Sequence, residues 1–158
     1  MKKVRYGIIG IGKMGFTHAR KLFKGLDKNG CVTAVCDLEQ EKLDRAQAEL
    51  KGVKTFLNYK ELIKCADVDA VVVATPHYDH PAIGLEVIEA GKHLLIEKPA
   101  GVYTKAVREL NEAAAKKPNL VFGIMYNQRT NPLYIKAKEI IESGQMGEIK
   151  RVNWIITN

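Results

Sequence analysis

A short stretch near the N-terminus, residues 6–15, constrains the fold more than any other part of the chain. An apolar run there ends in Gly10, Gly12 and Gly15, spaced G-x-G-x-x-G. This spacing suits a tight turn out of a strand, a close approach of the backbone to a pyrophosphate, and close packing of the following helix on the sheet. Because glycine clusters also form ordinary turns, the motif predicts a dinucleotide site only in the right structural context.

Apolar runs typical of strands alternate with helical segments as far as residue 125. The runs are rich in β-branched residues, and the segments between them carry apolar residues at helical spacing. The predicted strands are residues 4–9, 32–36, 53–56, 69–75, 93–96 and 120–125, and the predicted helices are 13–24, 38–50, 58–64, 79–91 and 104–117. Six strands alternating with five helices through short connections predict an α/β fold, a doubly wound parallel Rossmann sheet.

Polar residues follow several of the predicted strands, at the point where each strand ends. The glycines come after the first strand, Asp37 after the second, Thr75 and Pro76 after the fourth, and Glu97 and Lys98 after the fifth. In an open α/β sheet, ligands bind beyond the carboxyl ends of the strands, where the strand order reverses. Four strand ends therefore predict one crevice, which is stronger evidence for a dinucleotide site than the glycines alone.

Asp37 lies 22 positions beyond Gly15, close to where a dinucleotide fold places the carboxylate that binds the adenosine ribose. Asp37 and Gln40 also resemble a capping box for the helix 38–50, and a carboxylate has enough acceptor sites for both roles. The glycines upstream favour the ribose role. Such a carboxylate would repel a 2′-phosphate and Leu38 adds no charge, so we predict NAD in preference to NADP. Lys42, one turn away, could weaken that preference.

One histidine lies in the apolar stripe of the first predicted helix. Met14, His18 and Leu22 form this stripe, with Phe23 on its flank. His18 could serve a functional site, but the pattern favours a histidine at the edge of the core.

Composition excludes several classes of partner. The net charge is +7, but the lysines are scattered along helix faces without interleaved aromatic residues, which indicates a solvated basic surface and no nucleic-acid partner. Cys31, Cys36 and Cys65 match no C-x-x-C or zinc spacing, so we predict free thiols and no metal. No apolar run approaches the roughly 20 residues of a membrane span, and the N-terminus does not resemble a signal peptide. We expect a cytoplasmic protein with no membrane partner.

A set of motifs, in this order and over nearly the whole chain, resembles the N-terminal half of the Gfo/Idh/MocA family, named for glucose–fructose oxidoreductase and inositol dehydrogenase. The combination is specific, although no single motif is. The matching residues are the glycine segment 7–15, Asp37, Ala74-Thr75-Pro76 with His80, the segment 89–93 leading to Glu97-Lys98-Pro99, the segment 127–129 with Pro132, and the segment 141–149.

The resemblance implies a cofactor site and a reaction. Members commonly oxidise a sugar or cyclitol hydroxyl, or reduce the matching ketone, by hydride exchange with a nicotinamide. The implied cofactor-binding residues are Gly10, Ile11, Gly12, Lys13, Met14 and Gly15 at the pyrophosphate, Asp37 at the ribose, Thr75, Pro76 and His80 on the strand-four side, Glu97 beside the nicotinamide ribose, Lys98 facing the reacting carbon, and Asn127.

Lys98 is the residue implied for catalysis. Removing a hydride from a secondary alcohol requires its O–H proton to leave, and a lysine amine beside the cofactor can assist. Burial would favour the neutral amine and Glu97 the charged one; a charged lysine would instead orient the hydroxyl and stabilise oxyanion character. Outside this context, a loop lysine paired with Glu97 would be the default interpretation. A cis bond between Lys98 and Pro99 is a further hypothesis.

The chain departs from the family in length. Members are usually more than twice as long, and their second α/β domain supplies an Asp and a His, the His often being the proton acceptor. We predict a dinucleotide-binding domain over residues 1–124 and, over 125–158, the truncated beginning of the second domain, with a helix around 133–142 and a strand around 149–157. We interpret the sequence as a truncated or cleaved product or a fragment with little or no turnover, whose full-length form is a homo-oligomer acting on a sugar-like or polyol-like substrate.

Three functions remain compatible with these residues. The first is an NAD(P)-dependent dehydrogenase or reductase of a polyol, sugar or cyclitol. The second is a non-catalytic dinucleotide sensor or regulatory module, which the same fold can serve; Lys98 disfavours it, because a sensor needs no amine at the nicotinamide end. The third is a plain structural or interaction domain, which the glycine loop and Asp37 disfavour.

Overall fold

The structure, a computed structural model, describes residues 3–155. The chain divides into two compact units, Met1–Met125 and Tyr126–Asn158. The first contains the sheet and its helices, and the second contains a short helical segment.

The first unit is built on one six-stranded parallel sheet. Its strands are β1 Val4–Ile9, β2 Gly30–Cys36, β3 Lys54–Phe56, β4 Ala70–Val73, β5 His93–Ile96 and β6 Phe122–Ile124. They lie in the order β3-β2-β1-β4-β5-β6, and every neighbouring pair is parallel. The strand order reverses between β1 and β4, so the predicted doubly wound sheet is confirmed and its switch point lies beside the glycine loop.

Five helices cover both faces of this sheet, namely α1 Lys13–Phe23, α2 Gln40–Glu49, α3 Tyr59–Lys64, α4 His80–Glu89 and α5 Thr104–Ala115. Two apolar cores result. Ile8 and Val72 point to the core that contains Phe16 of α1 and Leu43 of α2. The next residues along the same strands, Ile9 and Val73, point to the core of α3, α4 and α5. This alternation is the period of two that a strand covered on both faces must show.

Some element ends differ from the prediction by one or two residues. The strand predicted over 69–75 ends at Val73, and the amide of Ala74 still donates to Ile9 of β1. The helix predicted from residue 38 begins at Gln40, and Leu38 is left exposed. Asn58 caps α3, because its side chain accepts the amide of Lys60. Asp79 is at the N-cap position of α4 but makes no side-chain capping bond.

The second unit contains a short 3-10 helix, Asn127–Thr130, and α6, Pro132–Glu142. The Asn131 side chain caps α6 by accepting the amide of Leu133 at 3.0 Å. The predicted strand around 149–157 is wrong for residues 149–155, which form none; its last two residues lie outside the described part. A strand needs a neighbour for its N–H and C=O groups, and the described part of this unit contains no second strand. Trp154 instead stacks on Tyr134, with ring centroids 5.3 Å apart.

Between residues 3 and 155, no helix combines the length and the apolar character that a membrane crossing requires.

Candidate active site

Two of the three motif glycines are required by the packing of the protein itself. Gly10 has a φ of +83°, and a Cβ there would lie 2.8 Å from the carbonyl oxygen of Ala74, after β4. A Cβ at Gly15, in the first turn of α1, would lie 1.9 Å from the carbonyl oxygen of Gly10. Only glycine therefore lets α1 approach the turn that closely.

Gly12 is different, because a Cβ there would meet no atom of the protein within 4 Å. It is the N-cap residue of α1, with a φ of −63° that any residue can adopt. No side chain caps this helix end in the described structure, and its first turn contains no acidic residue. The chain thus keeps an open space beside an uncapped helix N-terminus, which is what close approach of a phosphate group requires. Lys13 and Met14, also predicted to contact the cofactor, begin the helix and are exposed.

The Asp37 carboxylate lies against the glycine loop. Its Oδ2 accepts the Ile11 amide at 2.9 Å and its Oδ1 accepts the Glu39 amide at 3.2 Å. The predicted capping box is wrong. Glu39, not Asp37, is the N-cap residue of α2, since Asp37 is already engaged by the loop. The Gln40 side chain donates along its own helix to Asp44.

Lys42 is held next to the predicted ribose-binding carboxylate. Its Nζ lies 2.8 Å from Glu39 Oε1 and 3.4 Å from Asp37 Oδ1. The hydrogen bond to Glu39, assisted by the charge of Asp37, raises the pKa of Lys42 above its ordinary value. Lys42 is therefore a charged neighbour of Asp37, and its positive charge is already paired with the carboxylates of both Asp37 and Glu39.

The segment after β5 is fixed by main-chain and side-chain contacts. The predicted cis bond between Lys98 and Pro99 is confirmed. Glu97 is only 7% exposed, and its amide donates to the Val73 carbonyl at 2.9 Å. Its Oε2 accepts the Lys98 amide at 3.2 Å, and its Oε1 lies 2.6 Å from His18 Nε2. Both carboxylate oxygens of Glu97 therefore have partners, and neither partner is the lysine ammonium.

The side chain of Lys98 is exposed. Among residues 3–155, no group lies within hydrogen-bond or ion-pair distance of its Nζ. The default interpretation, a loop lysine paired with Glu97, is therefore wrong: the two residues meet through the Lys98 main chain. The amine remains available to a bound molecule.

His80 joins the ends of β4 and β5 from beneath the site. It is fully buried, with Nδ1 2.7 Å from the Pro99 carbonyl oxygen and Nε2 2.8 Å from the Thr75 carbonyl oxygen. Both ring nitrogens face main-chain acceptors, so neither is free for a ligand. We therefore interpret the cofactor role predicted for His80 as an indirect one, acting through Thr75 and the segment that ends at Pro99. Pro76, which directly follows Thr75 and was also predicted to contact the cofactor, is exposed.

Sequence reasoning missed the contact between His18 and Glu97. The favoured interpretation of His18 was a histidine at the edge of the core, and its side chain is indeed only 17% exposed. A signal was available, since a histidine in an apolar stripe and a glutamate at the end of a buried strand both need a polar partner. Nothing in the sequence says that each is the partner of the other.

Asn127 begins the 3-10 helix of the second unit, where its carbonyl accepts the Thr130 hydroxyl at 2.9 Å. Its contact with the cofactor stays a prediction. In the described part of the chain, no three side chains of the His, Cys, Asp or Glu type gather as a metal site would need.

Residues 4–124 match the model of the GFO_IDH_MocA family, described as an oxidoreductase family with an NAD-binding Rossmann fold. The chain belongs to this family. The resemblance inferred from the motifs is thereby confirmed, and the matched range includes every predicted site residue except Asn127.

Several proteins that are similar to this chain are named as inositol dehydrogenases. An inositol 2-dehydrogenase of Saccharopolyspora erythraea is 35% identical over 98% of this chain and 46% of its own length. The structure of myo-inositol 2-dehydrogenase from Lactobacillus plantarum superposes with a TM-score of 0.88 at 32% identity, over 94% of this chain and 43% of that one. Scyllo-inositol dehydrogenase from Lactobacillus casei, solved with NAD(H) and scyllo-inositol, gives 0.88 at 30% identity over the same shares. The chain spans less than half the length of these relatives.

Proposed function

We propose that this chain holds the nicotinamide cofactor and the catalytic lysine of an oxidoreductase that exchanges a hydride with a sugar, polyol or cyclitol. The observation that carries the proposal is the convergence of four strand ends. The glycine loop after β1, Asp37 after β2, Thr75 after β4 and Lys98 after β5 all lie at the carboxyl edge of one sheet, around its switch point.

The residues of the first unit fit a dinucleotide. The space beside Gly12 would take the pyrophosphate, and the amides at the start of α1 would donate to it. The Asp37 carboxylate, held by the Ile11 amide, would accept hydrogen bonds from the adenosine ribose. Its negative charge supports NAD over NADP, and Lys42 offsets that charge only in part because Glu39 shares it.

Lys98 supplies the polar chemistry at the other end of the site. When bound, the nicotinamide accepts or gives the hydride. Lys98 would donate a hydrogen bond to the substrate oxygen, holding it in place and stabilising negative charge as the hydroxyl proton leaves. If its amine is neutral, it would take that proton itself. The free Nζ and the fixed main chain around it support this role.

The names of the relatives narrow the substrate class we propose. A cyclitol such as inositol carries secondary hydroxyls of the kind that this reaction needs. The resemblance assigns an Asp and a His of the active site to the second domain, of which residues 126–155 include one short helix and α6. We therefore expect little or no turnover from residues 1–158 alone.

Two measurements on this chain test the proposal. A fluorescence titration should show saturable NADH binding, and Lys98→Ala should still bind NADH, because a hydride-transfer site needs its lysine chiefly for the substrate. NAD reduction with myo- or scyllo-inositol, however slow, should be lost in Lys98→Ala. Failure of the wild type to bind NADH would overturn the dinucleotide role. Binding together with NAD reduction that is measurable and equal in both proteins would overturn the catalytic role of Lys98.

A further inference from the structure

A histidine of the phosphate-binding helix makes a short contact with the glutamate that precedes Lys98. His18 Nε2 lies 2.6 Å from Glu97 Oε1, between residues 79 positions apart in sequence. The two side chains are 17% and 9% exposed. The contact gives a polar atom of each largely buried side chain a hydrogen-bond partner.

The same carboxylate also fixes the main chain of Lys98. Glu97 Oε2 accepts the Lys98 amide at 3.2 Å, while the Glu97 amide is tied to the Val73 carbonyl of β4. Because the carboxylate is held at one oxygen, its orientation is defined. The position of its second oxygen, and with it the position of the Lys98 amide bonded to that oxygen, is therefore fixed. His18 is the residue that holds the first oxygen.

Glu97 has few other ways to be held. Within the described part of the chain, no lysine or arginine pairs with its carboxylate, and His18 is the side chain that contacts it. Without His18, the buried carboxylate would lose the partner of its Oε1 and would rotate that oxygen toward water or toward another donor, since a buried polar atom without a partner is costly. Either movement takes Oε2 away from the Lys98 amide.

We propose that His18 is a positioning residue: it orients the Glu97 carboxylate, which in turn fixes the main chain from which Lys98 reaches the substrate. The inference rests on the proposed function of Lys98. His18 lies three residues after Gly15 on α1. The helix whose N-terminus faces the proposed pyrophosphate thus also sets the lysine at the opposite end of the site.

Three variants of the 158-residue chain separate positioning from a general contribution to stability. His18→Ala removes the contact. His18→Gln keeps a side-chain amide that can donate to Glu97 Oε1. His93→Gln is the matched control, because His93 Nδ1 accepts the Val121 amide at 3.0 Å at the opposite end of β5.

The readout is the Lys98 amide, followed by NMR. We expect hydrogen exchange at this amide to rise about tenfold in His18→Ala, as for a lost hydrogen bond to a charged group, and to return most of the way in His18→Gln. His93→Gln should leave it unchanged even if urea unfolding shows an equal loss of stability. NADH addition should shift the Lys98 resonance in the wild type and in His18→Gln, and less in His18→Ala.

Unchanged exchange in His18→Ala would overturn the inference, and so would an equal rise in His93→Gln. These outcomes are independent of the proposed function. If the wild type fails to bind NADH, the cofactor role fails, whereas the exchange data still decide whether His18 fixes the Lys98 main chain.

Discussion

Replacing Gly12 by alanine should remove cofactor binding while leaving the fold intact. A Cβ at Gly12 meets no protein atom within 4 Å, and its φ of −63° suits alanine. Alanine is a poorer N-cap than glycine, so we expect a loss of stability within about 1 kcal/mol. The added methyl group would occupy the space through which a pyrophosphate reaches the start of α1. We expect NADH affinity to fall at least about tenfold, or about 1.4 kcal/mol.

Gly15→Ala is the matched control with the opposite expectation. Its Cβ would lie 1.9 Å from the Gly10 carbonyl oxygen, which is 1.5 Å short of the 3.4 Å of an ordinary contact. Helix propensity favours alanine over glycine by about 1 kcal/mol. Overpacking costs about 1–3 kcal/mol where side chains can adjust, and here the obstacle is backbone. The clash therefore outweighs the propensity, and we expect a net loss of about 2 kcal/mol or more.

Urea unfolding followed by circular dichroism measures the stability of both variants, and NADH fluorescence titration measures binding. We expect Gly12→Ala to be stable and to bind NADH poorly, and Gly15→Ala to be destabilised. If Gly12→Ala binds NADH as the wild type does, the open space beside Gly12 is not the phosphate site. A Gly15→Ala as stable as the wild type would contradict the packing argument.

Three further predictions concern charge, pH and buried hydrogen bonds. The wild type should bind NADH about tenfold more tightly than NADPH, and Asp37→Ala should narrow that gap in parallel titrations; equal affinities in the wild type would refute the role of Asp37. Burial raises the pKa of the Cys36 thiol from its ordinary value of 9.0 to about 12. Burial, together with the hydrogen bond to Glu86, raises the pKa of the Tyr59 hydroxyl from its ordinary value of 10.0 to about 12. The folded state holds these protons longer than the unfolded state does, so the free energy of unfolding should fall as the pH rises from 9 toward 12, and less steeply in Tyr59→Phe. His80→Leu should lose about 2 kcal/mol or more in urea unfolding, because the ring nitrogens of this fully buried histidine face the carbonyl oxygens of Thr75 and Pro99 and at least one of these oxygens loses its donor; a stability equal to the wild type would contradict that bond assignment.

The sheet could be predicted from the sequence because the residues of each strand show by their own polarity which of its faces are buried. All four residues of β4 are buried, as its β-branched run predicts for a strand covered on both faces. The ends of the elements were less accurate. The start of α2 depends on where Asp37 finds its donors, and one of those donors, the Ile11 amide, is 26 residues away.

The position of the candidate site could also be predicted, but not its internal contacts. Parallel strands place their carboxyl ends at one edge, so residues after different strands meet without any knowledge of side-chain geometry. The donor that each carboxylate then bonds depends on distances between side chains, and the spacing of residues in the sequence does not give those distances. Lys98 next to Glu97 in sequence suggested an ion pair, and the structure joins Glu97 to His18 instead.

The wrong strand over residues 149–155 and the missed contact of His18 have the same physical cause. Periodicity describes what one segment can bury, whereas a strand and a buried carboxylate are both stabilised by a partner that another segment must supply. The apolar run around Trp154 could pair only with a strand that the described part of its unit does not contain. Glu97 could be held only by a donor on an element packed against the end of β5, and α1 brings one there because glycine at position 15 lets the helix lie so close to the turn after β1. The close packing that the glycine motif permits thus has a second consequence beyond the proposed phosphate site, since it brings His18 within reach of Glu97, the residue that we propose fixes the Lys98 main chain.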